Sequence, residues 1–177
     1  MTDKTKKTIA LFGSSAPLPG DYNYLQAYNL GKALAAAGYN LANGGYSGVM
    51  AASAHGAHQA GAHTTGVTCD AFGRSGPNQW IDKEIRTKDL NQRLITLINL
   101  ADAYVVLPGS TGTLLEIAMV WELINKHFLP QRPIIFLSTY WQPVINTVVQ
   151  NDDANTENLI FAQTQDDVIQ ILNDFFR

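Results

Sequence analysis

Residues 108–116, Pro108-Gly109-Ser110-Thr111-Gly112-Thr113-Leu114-Leu115-Glu116, gather two glycines, three hydroxyls and a carboxylate in one short stretch. The apolar run Ala103-Tyr104-Val105-Val106 before it reads as a buried strand. The longer segment Ile117 to Ile124 after it reads as a helix. The stretch is therefore a strand–loop–helix junction. Pro108 stops the strand, and Gly109 and Gly112 permit positive φ and close approach of backbone to ligand. Unpaired N–H groups and the positive end of the helix dipole make an anion seat at Ser110, Thr111, Gly112 and Thr113. Glu116 stands one turn inside that seat. A phosphate site with an acid beside it points to nucleotide chemistry.

Glu116 admits two roles that do not exclude each other. Thr113-x-x-Glu116 fits a capping box, with Thr113 as N-cap and Glu116 bonded back to its backbone. The positions on its helix face, Met119, Val120 and Leu123, are apolar, which turns the carboxylate inward as a cleft acid. Arg93 is the second residue of interest. In the helix expected over Leu90 to Leu100 it lies off the polar stripe of Gln92, Thr96 and Asn99, in line with Leu97 and Leu100. A guanidinium at the edge of an apolar face pairs with a carboxylate or a phosphate, or snorkels out of a structural ion pair.

Other chemistry-bearing residues read more plainly. His55 and His58 share a helix face at i, i+3, with His63 beyond, but no carboxylate or cysteine in sequence completes a metal set, so they read as solvated imidazoles and no metal is expected. Trp80, Trp121 and Trp141 share no spacing and read as core or interface. Cys69 has no base nearby in sequence and reads as a small buried apolar residue. Lys83, Lys88 and Lys126 fall at expected loop or helix-end positions and do not resemble a pyridoxal-phosphate lysine.

The elements that must position these residues alternate. Strands are expected at Thr8–Phe12, Asn40–Ala42, Thr64–Thr68, Ala103–Val106, Pro133–Leu137 and Leu159–Phe161. Helices are expected at Tyr24–Ala37, Val49–Ala60, Leu90–Leu100, 112–124, Trp141–Gln150 and Asp166–Phe176, with Gly38 and Gly61 as C′ residues. Residues 70–88 read as an irregular loop marked by Gly73, Gly76 and Pro77. This alternation implies parallel pairing and right-handed crossovers, hence a doubly wound α/β sheet. The Gly/Ser loops after residues 12, 42 and 107 then share the carboxyl edge of that sheet, where such folds bind ligands.

Composition sets outer bounds. The 177 residues form one domain, read as a leader over 1–7 and a nucleotide-binding unit over 8–177, with the basic cluster Lys4-Thr5-Lys6-Lys7 in the leader. A net charge of -3 without clustered Lys and Arg argues against nucleic-acid binding. One cysteine excludes an internal disulfide and suits a reducing compartment, so a cytoplasmic location is expected. No apolar run is long enough for a membrane span, and no signal-peptide core is seen. Hydrophobic residues make up 46% and charged residues only 15%, and the helix 112–124 is apolar nearly all round, which suits burial against a second copy.

The motifs together resemble a family. Pro108 to Glu116 is similar to the P-G-G-x-G-T-x-x-E signature of the LOG family, the lysine decarboxylase-like Rossmann proteins. Phe12-Gly13-Ser14-Ser15 resembles the family's first loop. Gly44-Gly45-Tyr46-Ser47-Gly48-Val49-Met50 resembles its G-G-x-x-G-[LV]-M loop. Arg93, nine residues before Asp102-Ala103-Tyr104, stands where the family's catalytic arginine precedes its D-A-F strand. The resemblance covers most of the chain. It implies a Rossmann-like sheet with helices on both faces, no cofactor, and a homodimer. It also implies hydrolysis of the N-glycosidic bond of a nucleoside 5′-monophosphate, AMP or an N6-modified AMP, to free base and ribose 5-phosphate. Glu116 and Arg93 would be catalytic. Gly13, Ser14, Ser15, Gly44, Gly45, Gly48, Met50, Pro108, Gly109, Ser110, Thr111, Gly112 and Thr113 would bind the nucleotide. A guanidinium does not give up its proton at neutral pH, so Arg93 would act electrostatically. The chain departs from the family at Ser110, which replaces the second glycine, and at Asn91-Gln92-Arg93-Leu94, which replaces H-E-R-K. Asn78-Gln79-Trp80-Ile81 is closer to bacterial relatives and to molybdenum-cofactor carriers of the same superfamily, which makes a non-catalytic binding or carrier protein the alternative.

Overall fold

The computed structural model describes residues 6–150 and 155–177. Its elements are β1 (Thr8–Phe12), α1 (Tyr22–Ala36), β2 (Asn40–Asn43), α2 (Val49–Gln59), β3 (Thr64–Cys69), β4 (Lys83–Thr87), α3 (Leu90–Leu100), β5 (Ala103–Val106), α4 (Thr111–Asn125), β6 (Ile134–Leu137), α5 (Gln142–Val149), β7 (Leu159–Ala162) and α6 (Gln165–Phe175). The strands form one sheet in the order β4-β3-β2-β1-β5-β6-β7, every pair parallel. The chain order reverses between β1 and β5, so the loops leaving these two strands face each other across a crevice.

Why the sheet is covered on both faces is visible in the strand residues. Ile9 and Leu11 join one core with Leu30 and Leu34 of α1, Val49 of α2 and Val168 of α6. Their neighbours Ala10 and Phe12 join a second core with Leu97 of α3, Val120 of α4 and Ile145 of α5. Successive side chains of a strand point to opposite faces, so an uninterrupted apolar strand needs a layer on each side. Phe12, Tyr104 and Phe136 are almost wholly buried, and each such side chain contributes roughly 1.5–3 kcal/mol.

β4 is the difference from the sequence expectation, which gave residues 70–88 no strand. Lys83-Glu84-Ile85-Arg86-Thr87 is an edge strand with only Thr87 fully buried. Only Ile85 and Thr87 turn toward the core, while Lys83, Glu84 and Arg86 supply the exposed charges that protect an edge and leave no apolar run. Lys83 therefore opens a strand rather than lying in a loop. Lys4 and Thr5 lie outside the described residues. Lys7 is held at the sheet, its carbonyl accepting from the Asn40 N–H at 2.9 Å and its ammonium 3.2 Å from Asp102. No helix among the described residues is long and apolar enough to cross a membrane.

α1 and α2 cross on two glycines. A Cβ at Gly31 would stand 2.1 Å from the Ser53 carbonyl oxygen, and one at Gly56 would stand 2.0 Å from that of Tyr28. Alanine gains about 1 kcal/mol of helix propensity over glycine, but here it would meet rigid backbone. Overlap of that kind costs roughly 1–3 kcal/mol or more. Gly31→Ala is therefore expected to lower the melting temperature by roughly 5 °C. An unchanged thermal denaturation curve would show that the helices do not touch there.

Candidate functional site

A cleft of about 370 Å³ opens at the carboxyl edge of the sheet, across the β1/β5 reversal. Its centre is the pair Arg93 and Glu116. Arg93 projects from the first turn of α3, which Asp89 caps by accepting from the Gln92 N–H at 2.8 Å. Its Nε donates to the Val67 carbonyl of β3 at 2.9 Å, and Nη2 to the Gly44 carbonyl after β2 at 3.2 Å. Nη1 is left facing Glu116 Oε1 at 3.9 Å, an ion pair longer than a hydrogen bond. The rings of Tyr46 and Phe72 each lie 5.6 Å from the guanidinium carbon.

Both charges are deep, with side-chain exposures of 9% for Arg93 and 12% for Glu116. Burial penalises the ionised carboxyl and Arg93 partly offsets it. Burial wins, and the Glu116 pKa rises to about 7. A carboxyl in this state passes between acid and base around neutrality, as proton-transfer groups must.

The opposite wall is the start of α4. Ser110 occupies the N-cap position with extended backbone and makes no side-chain cap bond. The first-turn N–H groups of Thr111, Gly112 and Thr113 have no intrahelical acceptor and stand at the positive end of the dipole. A Cβ on Gly112 would meet nothing within 4 Å, so its absence leaves open space at the helix end. The capping box expected at Thr113 and Glu116 is not formed. The helix begins three residues earlier than that box requires, its N-cap at Ser110 rather than Thr113, and Glu116 faces Arg93 instead. A capping box is present at Thr164 and Asp167 of α6.

The residues singled out in the sequence separate into two groups. Arg93, Glu116, Gly13, Ser14, Ser15 and Met50 line the cleft, as do Ser110, Thr111, Gly112 and Thr113. Gly44, Gly45 and Gly48 are not among its lining residues and shape it from behind, while Pro108 and Gly109 line an adjoining depression with Ser14 and Ser110. A Cβ at Gly44 would fall 1.8 Å from Arg93 Nη2. Gly45 bonds inward, donating to Asn43 Oδ1 at 2.8 Å while its carbonyl accepts from the Asn78 N–H at 2.7 Å. Gly48, at φ 64°, lets the β2 loop press on the Ser14–Ser15 backbone, where a Cβ would meet Ser14 O at 2.5 Å. Pro108 accepts from the Ser14 N–H at 3.2 Å, joining the two facing loops. Gly109 makes room for the Thr113 side chain, and Tyr140 and Trp141 brace this turn by donating to the Gly109 and Leu107 carbonyls at 3.0 Å each. Neither Gly109 nor Gly112 uses the positive φ that a glycine permits.

A family model described as the SLOG cluster4 family matches residues 6–169. The chain belongs to the SLOG cluster4 family. This SLOG cluster4 protein is 26% identical over 172 residues to a cytokinin riboside 5′-monophosphate phosphoribohydrolase of Rhodococcoides fascians, covering 93% of this chain and 84% of the relative. In structure it is similar to the molybdenum cofactor binding protein of Rippkaea orientalis, with TM-score 0.79, 22% identity, and 98% and 99% of the two chains covered. The molybdenum cofactor carrier protein of Chlamydomonas reinhardtii aligns at TM-score 0.74 and 21% identity, over 97% and 98%. At these identities the two structures show the shared fold.

Tyr46, Phe72, Arg74, Leu90, Leu94 and Leu115 also line the cleft of this SLOG cluster4 protein, beyond the residues read from sequence. Phe72 and Arg74 follow β3, whose carboxyl end lies on the same edge as the three Gly/Ser loops, and that placement is the signal that could have found them. Cys69 is buried, as expected. Trp121 and Trp141 are core residues. His55 is not free in solvent but stacks on Trp80 at 3.9 Å, while His58 and His63 flank Asp82 at 3.1 and 3.6 Å. Among the described residues no group of three His, Cys, Asp or Glu side chains is placed to hold a metal ion.

The raised Glu116 pKa has a consequence for stability. The native state holds this proton more tightly than the unfolded chain, whose value is near 4.5. Its contribution is therefore full below pH 4.5 and is lost as pH rises through about 7. Glu116→Gln escapes that loss, which amounts to as much as about 3 kcal/mol. Denaturant unfolding is expected to show the variant gaining on the wild type between pH 5 and pH 8. A difference constant across that range would mean that the carboxyl titrates normally.

Proposed function

We propose that this protein hydrolyses the N-glycosidic bond of a nucleoside 5′-monophosphate, releasing free base and ribose 5-phosphate. The observation that carries the reading is the Arg93–Glu116 pair at 3.9 Å, set in one cleft with the open N-terminus of α4. The names of the curated relatives support it. The 5′-phosphate would sit on the first-turn N–H groups of α4, with the Ser110 and Thr111 hydroxyls and the Ser14–Ser15 loop beside it. That position brings C1′ of the ribose toward Glu116.

In the reaction the C1′–N bond breaks and its electron pair leaves with the base. Positive charge builds on C1′ and the ring oxygen, and the Glu116 carboxylate stabilises it at close range. Water then adds to C1′, the carboxylate takes its proton, and that proton passes to the nitrogen of the departing base, which leaves neutral and restores the carboxylate. Arg93 offsets part of the burial cost of the ionised Glu116 that this step uses, and stays charged throughout. Its bonds to Val67 and Gly44 hold it in place, so little reorganisation is needed when charge develops. A second copy of the chain is the proposed cover for exposed Leu114 of α4 and the apolar groove beside it, formed with Val144 and Val148 of α5.

Chromatographic analysis of protein incubated with a panel of nucleoside monophosphates is expected to show free base and ribose 5-phosphate. Glu116→Ala should reduce the rate by at least roughly a hundredfold. Tight binding of monophosphates with no base released would replace this reading with a carrier. Because the carboxylate is the working form, kcat/KM should rise with pH through about 7. Arg93→Ala removes the charge that lowers the Glu116 pKa, so the rising limb should move to higher pH. A limb that stays in place would remove Arg93 from that role.

A further inference from the structure

The end of the cleft away from α4 has a composition of its own. Because β2 and β3 lie on the opposite side of β1 from β5, the loops after them face the α4 N-terminus across the cleft. They contribute Tyr46 and Met50 after β2, and Phe72 and Arg74 after β3; Leu90 and Leu94 of α3 complete that wall. On the reading above, with phosphate at α4 and ribose at Glu116, this end receives the base.

Its hydrogen-bonding capacity is one-sided. The Tyr46 hydroxyl is committed, accepting from the Cys69 N–H at 2.8 Å and donating to the Cys69 carbonyl at 3.3 Å. Met50, Phe72, Leu90 and Leu94 offer no oxygen or nitrogen. Arg74 lies on the Tyr46 ring, its Cζ 4.7 Å from the centroid, and among the described residues no acceptor meets its guanidinium. It stands one residue past Gly73, whose φ of 63° turns the chain back toward the cleft after the short 3₁₀ turn Asp70–Phe72. Arg86 of β4 anchors that turn by an ion pair with Asp70. The nearest carboxylate of the cleft, Glu116, is engaged with Arg93. The base end thus presents aromatic and aliphatic walls and one free fork of N–H donors, with no side-chain acceptor opposite it.

We infer that Arg74 selects the base, and that the substrate is a 6-oxopurine nucleoside monophosphate rather than the AMP expected from the family resemblance. A guanidinium has donors only. The O6 and N7 atoms of a 6-oxopurine are adjacent acceptors that take its fork in two parallel bonds. A 6-aminopurine puts an amino donor where O6 would be, so one arm of the fork meets N–H and loses the bond that a 6-oxopurine gives it. Uracil gives an acceptor next to an N–H donor and matches one arm alone. This inference rests on the phosphoribohydrolase reading of the same cleft, and the test separates the two.

The experiment compares kcat/KM for IMP, GMP and AMP on the full chain, with Arg74→Ala and Arg74→Lys as variants. The wild type should favour IMP and GMP over AMP by roughly tenfold or more. Arg74→Ala should bring the ratio toward one, and Arg74→Lys, which keeps the charge and loses the fork, should not restore it. Arg74 is exposed, so both variants are expected to fold. AMP cleaved as fast as IMP would overturn the selection by Arg74 and leave the hydrolase reading standing. If no monophosphate is cleaved, the hydrolase reading falls, and calorimetric binding of IMP against AMP decides. Tighter IMP binding that Arg74→Ala abolishes supports the inference, and equal binding overturns it.

Discussion

The buried guanidinium of Arg93 is the constraint to which the cleft is fitted. A cation that far from water persists only where its N–H groups find oxygens and its faces find rings. Three separate elements converge to meet that need. β3 supplies the Val67 carbonyl, the β2 loop supplies the Gly44 carbonyl, and α4 supplies Glu116. Gly44 has no side chain because that space is the guanidinium's. The Gly48 loop carries the constraint further, since its close seat against Ser14 and Ser15 sets the third wall. Moving Arg93 would therefore disturb every wall of the site at once.

Glu116 shows how two opposed effects set a chemical property. Burial alone would keep the group protonated at neutral pH, and full pairing with Arg93 would keep it ionised. The 3.9 Å separation is too long for a direct hydrogen bond, so the coulombic pull offsets only part of the desolvation. The carboxyl is left with lone pairs that the protein does not use, beside a helix end whose N–H groups are also unused.

Proteins of this fold bear the names of hydrolases and of cofactor carriers alike. The β1/β5 reversal makes a crevice at the carboxyl edge whatever the loops contain. What happens to the ligand depends on the side chains brought to the crevice. In this chain the acid and the cation meet at its middle, and the loop after β3 closes one end with a second arginine.

Much of this was readable from local pattern. The buried strands β1, β5 and β6 appear as apolar runs, and α3 appears as an apolar stripe with Arg93 beside it, because core burial writes a period into the residues themselves. The inward aspect of Glu116 followed from Met119, Val120 and Leu123 on its face. β4 was hidden because an exposed edge strand has no such period, and the start of α4 was misplaced because Ser110 ends the loop without a side-chain cap to mark it. By itself, then, the sequence determined the layered α/β sheet, the glycine loop that opens a helix at its carboxyl edge, and the inward-facing acid. Only the tertiary structure decided that Arg93 meets carbonyls 26 and 49 positions away, and that Arg74 shares a cleft with Glu116. The physical reason is that hydrophobic periodicity is a property of neighbouring residues, whereas convergence of loops on one edge is a property of how parallel strands are ordered.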